Sequence, residues 1–436
     1  MTVVIGGWLL LDATTVPVRD SGVRIQHGRV VHTGTRAELL ASGDTDIVDR
    51  PDCILMPGFV NGHVHLYGTL AHGIPMSSVP TGFWSFLEDY WWPKIENRLD
   101  HDMIEAATDY VCAEMLRTGT TSFFDILEAP SALPGGLQVE KAVAERRGMR
   151  GVVTFEACER IDEANGRLGL AENIDLIEAS SPTDLVQGAV SIHTTFTCSP
   201  GFIQSAFEIA ADKAVVCHAH VNEGVHEGAW CEDHLGKRTL EHYRDLGVAG
   251  STFLASQCVQ MTDVELDIIA DTGIRVTHMP LSNCEVGGGI APIPELLGRG
   301  TTIGLGTDGY VNDMFEVMRG AFLIHKARLL DPGTMPAHDV VHMATAGAAD
   351  AIGIEGAGRL GVGSHADLQL IDATFPTPVE DHNLLEQLVL WRNGSHVRDV
   401  MVGGTWRVRD GEVLDADMEA LVAATHRQAT RLWAES

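Results

Sequence analysis

The 436-residue chain is predicted to be an α/β protein, a (β/α)8 TIM barrel joined to a small β-sandwich domain built from both termini. Apolar strand patterns alternate with helical periods about eight times across roughly 300 residues, which is the size and rhythm of such a barrel. Short strands separated by turns occupy both ends of the chain instead. The chain also exceeds the limit of about 250 to 300 residues for a single core, which favours one large and one smaller domain.

The short strands at the two ends set the predicted domain boundaries. They occur near residues 3–5, 22–25 and 29–32, and the same pattern of short strands and turns occurs again near residues 367–372 and 397–411. We therefore assign residues 1–56 and 361–436, including a terminal helix, to the small β-domain. Residues 57–360 form the predicted barrel.

Eight apolar runs are predicted as the barrel strands. Catalytic groups in this fold lie at the carboxyl ends of the strands, so the residue that ends each run is the one to inspect. The runs are the segment leading to His63 and residues 121–125, 150–155, 190–193, 215–218, 253–255, 275–278 and 302–305.

The first run ends in a pair of histidines. In the sequence PGFVNGHVHL at residues 57–66, His63 and His65 are two positions apart on an extended segment, so both side chains point to the same side. Neutral imidazole is a common zinc ligand, although two histidines on a strand are often only polar surface. Two further strands end in metal-type ligands, because His220 precedes Glu223 by three residues and Asp308 lies in a glycine-flanked turn. About three histidines and one carboxylate, with a position left for water, are what a hydrolytic metal centre requires.

The amino-acid composition limits the classes of molecule that this protein is expected to bind. The 30 basic and 60 acidic residues give a net charge of −30, which argues against nucleic acid or an anionic membrane as partner and favours a small-molecule substrate. The N-terminal segment lacks a basic region and the sequence has no apolar run of 18 residues, so a cytoplasmic protein is expected. The eight cysteines form no CxxC pair, which favours reduced, buried thiols. A homo-oligomer is compatible with the sequence.

Several motifs together resemble the amidohydrolase superfamily, and more narrowly its branch of chlorotriazine hydrolases and aromatic or nucleoside deaminases. The motifs are PGFVNGHVH at residues 57–65, HVNE at 220–223, HMPLSN at 278–283, LGTDG at 305–309 and GVGSHADL at 361–368. The resemblance implies a metal-dependent hydrolase acting on a planar nitrogenous heterocycle, with deamination as the leading reaction. Hydrolysis of an amide, a urea or a cyclic C–N bond is the alternative, and a non-catalytic binding protein is a third reading.

The same resemblance implies a ligand set. One divalent ion, Zn²⁺ with Fe²⁺ or Mn²⁺ as alternatives, would be held by His63, His65, His220 and Asp308. Glu223 would carry protons between a metal-activated water and the leaving group, assisted by Asp308. No lysine ends the fourth strand near residue 193, so a carbamylated lysine bridging two metals is not expected.

Two positions depart from a simple transfer of the pattern. Relatives carry a histidine on the sixth strand where this sequence reads ASQCVQ at residues 255–260. Gln257 can donate a hydrogen bond but cannot shuttle a proton, so we expect it to act in the site as a neutral donor. His218 alternates with His220, but the spacing to Glu223 selects His220 and leaves His218 as a packed or supporting imidazole.

Substrate contacts are expected at strand ends and in the segment after the first strand. That segment, residues 81–93, is rich in aromatic side chains that offer flat faces to a planar ligand. Trp84, Leu87 and Trp91 also have helical i, i+3, i+7 spacing, which favours core packing for Trp91. The expected substrate contacts are His193, which could equally be a core histidine, and Phe83, Trp84, His278 and Asn283.

Overall fold

The computed structural model describes residues 1–41, 43–44, 46–76 and 79–434. In this part of the chain the strands are β1 (Thr2–Leu9), β2 (Val18–Gln26), β3 (Arg29–Thr35), β4 (Asp46–Pro57), β5 (Phe59–Val64), β6 (Thr120–Leu127), β7 (Arg150–Ala157), β8 (Val186–Gly188), β9 (Val190–Ile192), β10 (Cys217–Val221), β11 (Phe253–Gln257), β12 (Arg275–His278), β13 (Ile303–Leu305), β14 (Leu368–Asp372), β15 (Val397–Val402), β16 (Thr405–Arg409) and β17 (Glu412–Val413).

The helices alternate with the strands through the middle of the chain. They are α1 (Arg36–Leu40), α2 (Phe83–Phe86), α3 (Trp92–Lys94), α4 (His101–Arg117), α5 (Gly136–Arg147), α6 (Glu163–Ala179), α7 (Pro200–Lys213), α8 (Val225–Leu235), α9 (Thr239–Asp245), α10 (Asp263–Thr272), α11 (Pro280–Glu285), α12 (Ile293–Gly298), α13 (Met314–Leu329), α14 (Ala337–Met343), α15 (Ala346–Ile352), α16 (Leu384–Trp391) and α17 (Met418–Ala434). Within the described residues, no helix combines the length and apolar character needed to cross a membrane.

The parallel strands form the predicted barrel. Their order is β5, β6, β7, β9, β10, β11, β12, β13, and β8 adds to β7 beside this path. The barrel closes between β13 and β5, where the backbone N–H groups of Thr307 and Asp308 each donate to the carbonyl of His63 at 3.0 Å. All eight runs expected from the sequence are strands of this barrel. Closure therefore also brings Asp308 beside the histidine pair.

The two ends of the chain share one mixed sheet, with the order β17, β16, β15, β14, β4, β1, β2, β3. The ends meet where β14 pairs antiparallel with β4, Leu370 opposite Leu55. The small β-domain expected from both termini is thus present, and its strands form one continuous hydrogen-bonded sheet. Apolar side chains pack on both faces of this sheet. Val4 and Leu55 pack into one cluster, whereas Val3 and Ile5 pack with Leu39 of α1 on the other side. Alternating side chains on a strand point to opposite faces, which explains the division.

Gly58 joins the two sheets. β4 ends at Pro57 and β5 begins at Phe59, so the chain leaves the terminal sheet and enters the barrel within one residue. A Cβ atom at Gly58 would collide with the side chain of Thr121 at the start of the neighbouring strand. The close approach requires glycine, and it fixes where the strand that carries His63 begins.

Candidate metal centre and cavity

The four expected ligands lie together at one rim of the barrel. The ring centroid of His63 is 5.0 Å from that of His65 and 5.0 Å from that of His220. The carboxylate Oδ1 of Asp308 lies 3.4 Å from His65 Nε2. All four side chains are buried. They come from β5, from β10 and from the turn after β13, whose carboxyl ends meet at the same rim.

In His65 and His220, the Nδ1 atom of the ring is hydrogen-bonded, which leaves the Nε2 atom to face the centre of the cluster. His65 Nδ1 lies 2.7 Å from the carbonyl of Ile126, and His220 Nδ1 lies 2.6 Å from Glu156 Oε1. Metal-ligating histidines are commonly oriented in this way, with Nε2 left for the ion. His63 is buried and neither of its ring nitrogens has a hydrogen-bond partner. A buried imidazole without partners is costly unless a cation takes its lone pair, so the residues present fit a divalent metal.

His218 provides the contrast. It is also fully buried, but its Nδ1 lies 2.9 Å from Ser191 Oγ and its Nε2 lies 2.9 Å from Ser256 Oγ. Both nitrogens are therefore occupied by serine hydroxyls. This arrangement agrees with the expectation of a packed imidazole and leaves the ligand role to His220.

The protonation states suit metal binding. Burial lowers the pKa of His63 far below its usual value, and it also lowers the pKa of His65 and of His220, which keeps the three rings neutral. Burial opposes ionisation of Asp308, but His65 and the amide of Gln257 outweigh it and hold the pKa of this carboxyl below its ordinary value. Neutral imidazoles and an ionised carboxylate are the forms that bind a cation.

A tight turn brings Glu223 to the same cavity. β10 ends at Val221, and Asn222 takes a left-handed conformation with φ of 50°. The backbone N–H of Asn222 donates to Glu227 Oε2 at 2.5 Å, which fixes the turn. Glu223 then lines the cavity with His220 and Asp308. Burial, followed by the charges of Asp308 and Glu156, raises the pKa of Glu223 well above its ordinary value and favours a carboxyl that can hold a proton.

The cavity in front of these residues has a volume of about 750 Å³. Its inner end is polar, with His193 close to His220 at 5.8 Å between ring centroids. Its outer wall is largely apolar and comes mostly from the segment after β5. The lining residues of that segment include Ile74, Met76, Val79, Phe83, Phe86, Leu87, Tyr90 and Trp91. A polar end and an aromatic wall are typical of a site for a small planar molecule.

The structure separates the expected substrate contacts into two groups. Phe83 and His193 line the cavity. Trp84 does not line it but stacks on His226, with ring centroids 3.9 Å apart. His278 is buried against His325, Nε2 to Nε2 at 3.1 Å, and Asn283 donates its amide to the side chain of Gln257. Trp84, His278 and Asn283 therefore contact residues of helices α8 and α13 and of β11 in this structure, and their contact with a substrate stays a prediction.

Gln257 lies behind Asp308 rather than in the cavity wall. It is fully buried, and its Nε2 donates to Asp308 Oδ2 at 2.8 Å, beside the hydroxyl of Ser282 at 3.0 Å. Gln257 is a neutral donor, as expected, and its acceptor is the carboxylate of Asp308. Gln257 thus orients Asp308.

Glu156, at the end of β7, was missed by the sequence reasoning. It is 2% exposed, lines the cavity and holds His220. The available signal was an acidic residue directly after the third predicted strand, at the position where ligands follow other strands. Its partner could not be read from the sequence, because the two residues are 64 positions apart.

A family model described as "Amidohydrolase family" matches residues 54–407, which include every candidate ligand above. The chain belongs to the amidohydrolase family. It is similar to a 5-methylthioadenosine/S-adenosylhomocysteine deaminase of Nitratidesulfovibrio vulgaris, with 32% identity covering 94% of this chain and 93% of the relative. It is also 32% identical to a 5'-deoxyadenosine deaminase of Methanothermobacter thermautotrophicus, with 94% of both chains covered.

Solved structures agree with the amidohydrolase fold. An adenosine deaminase from Xanthomonas campestris with bound zinc superposes with a TM-score of 0.90 at 25% identity, covering 99% of this chain and 98% of that chain. The zinc complex of atrazine chlorohydrolase TrzN from Arthrobacter aurescens superposes with a TM-score of 0.86 at 22% identity, covering 98% and 100%. This amidohydrolase is therefore a hydrolytic enzyme, and the reading as a non-catalytic binding protein is set aside.

Proposed function

We propose that this amidohydrolase removes the amino group of a planar nitrogenous heterocycle, of the aminopurine nucleoside type, using one zinc ion per chain. The observation that carries the proposal is the cluster of four buried metal-type side chains at one rim of the barrel, three of which (His65, His220 and Asp308) share the wall of one aromatic cavity with Glu223. The names of the relatives, which are deaminases of adenosine derivatives, support the choice of substrate class.

His63, His65, His220 and Asp308 would hold the ion. A divalent ion bound there supplies a water whose pKa is lowered toward about 7. Glu223 lies on the cavity wall beside this position and takes a proton from the attacking water. The oxygen adds to the carbon that bears the amino group, Glu223 returns the proton to the amino nitrogen, and the C–N bond breaks. The products are ammonia and the corresponding oxo heterocycle, so one water is consumed for each ammonia released.

The remaining cavity residues orient the ring. His193 Nδ1 is hydrogen-bonded to Thr197 Oγ1 at 2.9 Å, which leaves Nε2 for the substrate. Burial lowers the pKa of His193 to about 3, so this ring acts as a neutral hydrogen-bonding group near neutral pH. Phe83 and Trp91 offer aromatic faces at the outer wall. Holding the ring at a fixed angle places its reacting carbon near Glu223.

The direct test measures ammonia released by the zinc-loaded enzyme from adenosine, 5'-deoxyadenosine and 5'-methylthioadenosine. Simple amides and ureas are assayed in parallel. We expect zinc-dependent release of one ammonia per nucleoside consumed, and none from the variant His63→Ala. Turnover of amides or ureas without turnover of any aminopurine nucleoside would overturn the proposal and establish the alternative.

A further inference from the structure

Apart from its histidines and tyrosines, the ionisable side chains that line the cavity are all carboxyl groups. Among the described residues, the lining contains neither lysine nor arginine. It contains five carboxyl groups, those of Glu96, Glu156, Glu223, Glu285 and Asp308. A negatively charged substituent that points away from the metal end would therefore meet neither a lysine nor an arginine in this lining.

Two cationic side chains contact residues of the lining, and both are engaged there. The guanidinium of Arg160 lies 2.8 Å from Glu128 Oε1 and 3.2 Å from Glu96 Oε2, and it covers the ring of Trp92 at 4.8 Å. Lys94 lies over the ring of Tyr90, with Nζ 5.2 Å from the ring centroid. Neither one belongs to the cavity wall.

Helix α11 marks the path from the metal end to the mouth. Ser282 near its start donates to Asp308, whereas Glu285, at its end, is exposed and also lines the cavity. Three residues along a helix correspond to a rise of about 4.5 Å. Val286, Tyr310 and Val311 also line the cavity. A substituent that extends outward from a ring held at the metal end thus passes an apolar surface and one exposed carboxylate.

Resting on the proposed function, we propose that the cavity selects heteroaromatic amines whose outward substituent is uncharged and apolar, and rejects those that carry a carboxylate. A small thioether tail fits this lining. Transfer of a carboxylate from water into the cavity loses hydration without an ion pair, and Glu285 adds like-charge repulsion. The selection thus comes from the absence of lysine and arginine in the described lining around the outward substituent, together with Glu285 at the mouth.

The test uses adenosine 5'-thioethers that differ only in the tail. The S-carbamoylmethyl and S-carboxymethyl compounds have nearly the same shape and differ in charge, and the S-methyl compound is the small apolar reference. We expect kcat/KM for the carboxymethyl compound to be at least about 30-fold below that for the carbamoylmethyl compound, because like-charge contacts in such sites are strongly unfavourable. Equal kcat/KM values for the two compounds would overturn the inference.

The variant Glu285→Arg tests whether the outward substituent of the substrate passes Glu285, and Glu285→Gln is its matched control. Arginine at this position supplies the missing cation, so we expect the ratio of carbamoylmethyl to carboxymethyl kcat/KM to fall about 5-fold or more, as one exposed ion pair can provide. Glutamine removes only the repulsion and should lower the ratio less. An unchanged ratio in Glu285→Arg would overturn the assignment of the substituent to this rim.

Binding measured by calorimetry with the zinc-loaded enzyme separates the two proposals. If no thioether releases ammonia but binding still follows the order methyl and carbamoylmethyl above carboxymethyl, deamination fails and the selectivity stands. If ammonia is released at equal rates from all three, the proposed function stands and the selectivity fails. If none of the three compounds binds, the selectivity proposal is overturned as well.

Discussion

Replacing Glu156 by alanine should weaken metal binding without removing any ligand. Glu156 Oε1 lies 2.6 Å from His220 Nδ1 and its side chain is 2% exposed, so the bond is short and screened from water. Its loss leaves a buried ring nitrogen unpaired and frees the ring to rotate. Outer partners of ligating histidines contribute about 10- to 100-fold in metal affinity, which is about 1.4 to 2.8 kcal/mol. We expect a loss of this size for Glu156→Ala.

The variant Glu156→Gln distinguishes a role of Glu156 in positioning His220 from a general role in holding the fold together. Glutamine retains an oxygen that can accept from His220 Nδ1, so Glu156→Gln should keep most of the affinity. The assay is a titration of zinc-stripped protein with zinc against a chromogenic chelator, with circular dichroism to verify folding. Glu163→Gln, at the exposed start of α6, is the control and should bind zinc like the parent. An unchanged affinity in Glu156→Ala, or an equal loss in Glu156→Gln, would refute the positioning role.

Three further outcomes are expected. Glu223→Gln should retain zinc in elemental analysis while kcat falls about 100-fold or more, as for a general acid and base, and loss of zinc would show a ligand role instead. Gln257→His should lower kcat and alter its pH profile, because a ring with an ordinary pKa near 6.5 then contacts Asp308; an unchanged profile would contradict the contact. Burial lowers the pKa of His325 from 6.5 to about 4, so the unfolded state takes up the proton first and stability falls as pH drops below 6.5. Urea unfolding at pH 7 and pH 5 measures how much unfolding free energy each protein loses on acidification. This loss should be up to about 2 kcal/mol smaller for His325→Asn than for the parent protein, and an equal loss in the two proteins would disprove the role of His325.

The residues at the strand ends could be predicted from the sequence because the pattern that marks a strand end involves only neighbouring residues. An apolar run followed by His, Glu or Asp needs only a few residues to be read, and the barrel brings the ends of such runs together. For this reason the sequence could indicate that His63, His65, His220 and Asp308 lie close together, as they do in the structure. Glu156 ends a strand of the same kind, but nothing in its own run indicates that it supports a ring 64 positions away.

The aromatic segment after β5 was harder to predict because its helix is irregular. The i, i+3, i+7 spacing of Trp84, Leu87 and Trp91 assumes a uniform helical period, which favours one packed face. The structure instead has a π-helical turn at Leu87–Trp91 between α2 and α3. A π-turn adds a residue to the turn and rotates everything after it. Trp91 packs against the core, as expected, and also lines the cavity, whereas Trp84 stacks on His226 outside it.

The two His-x-His pairs show what decides between a ligand and a packed ring. His63 and His218 are both fully buried, and each precedes a second histidine by two residues on a parallel strand. The difference lies on neighbouring strands, because β9 and β11 supply Ser191 and Ser256 to the two nitrogens of His218. Of these partners, Ser191 stands directly opposite His218 in the register of β9 and β10. A buried ring with both nitrogens hydrogen-bonded, as in His218, is satisfied, whereas a buried ring with neither nitrogen partnered, as in His63, is left to bind a cation.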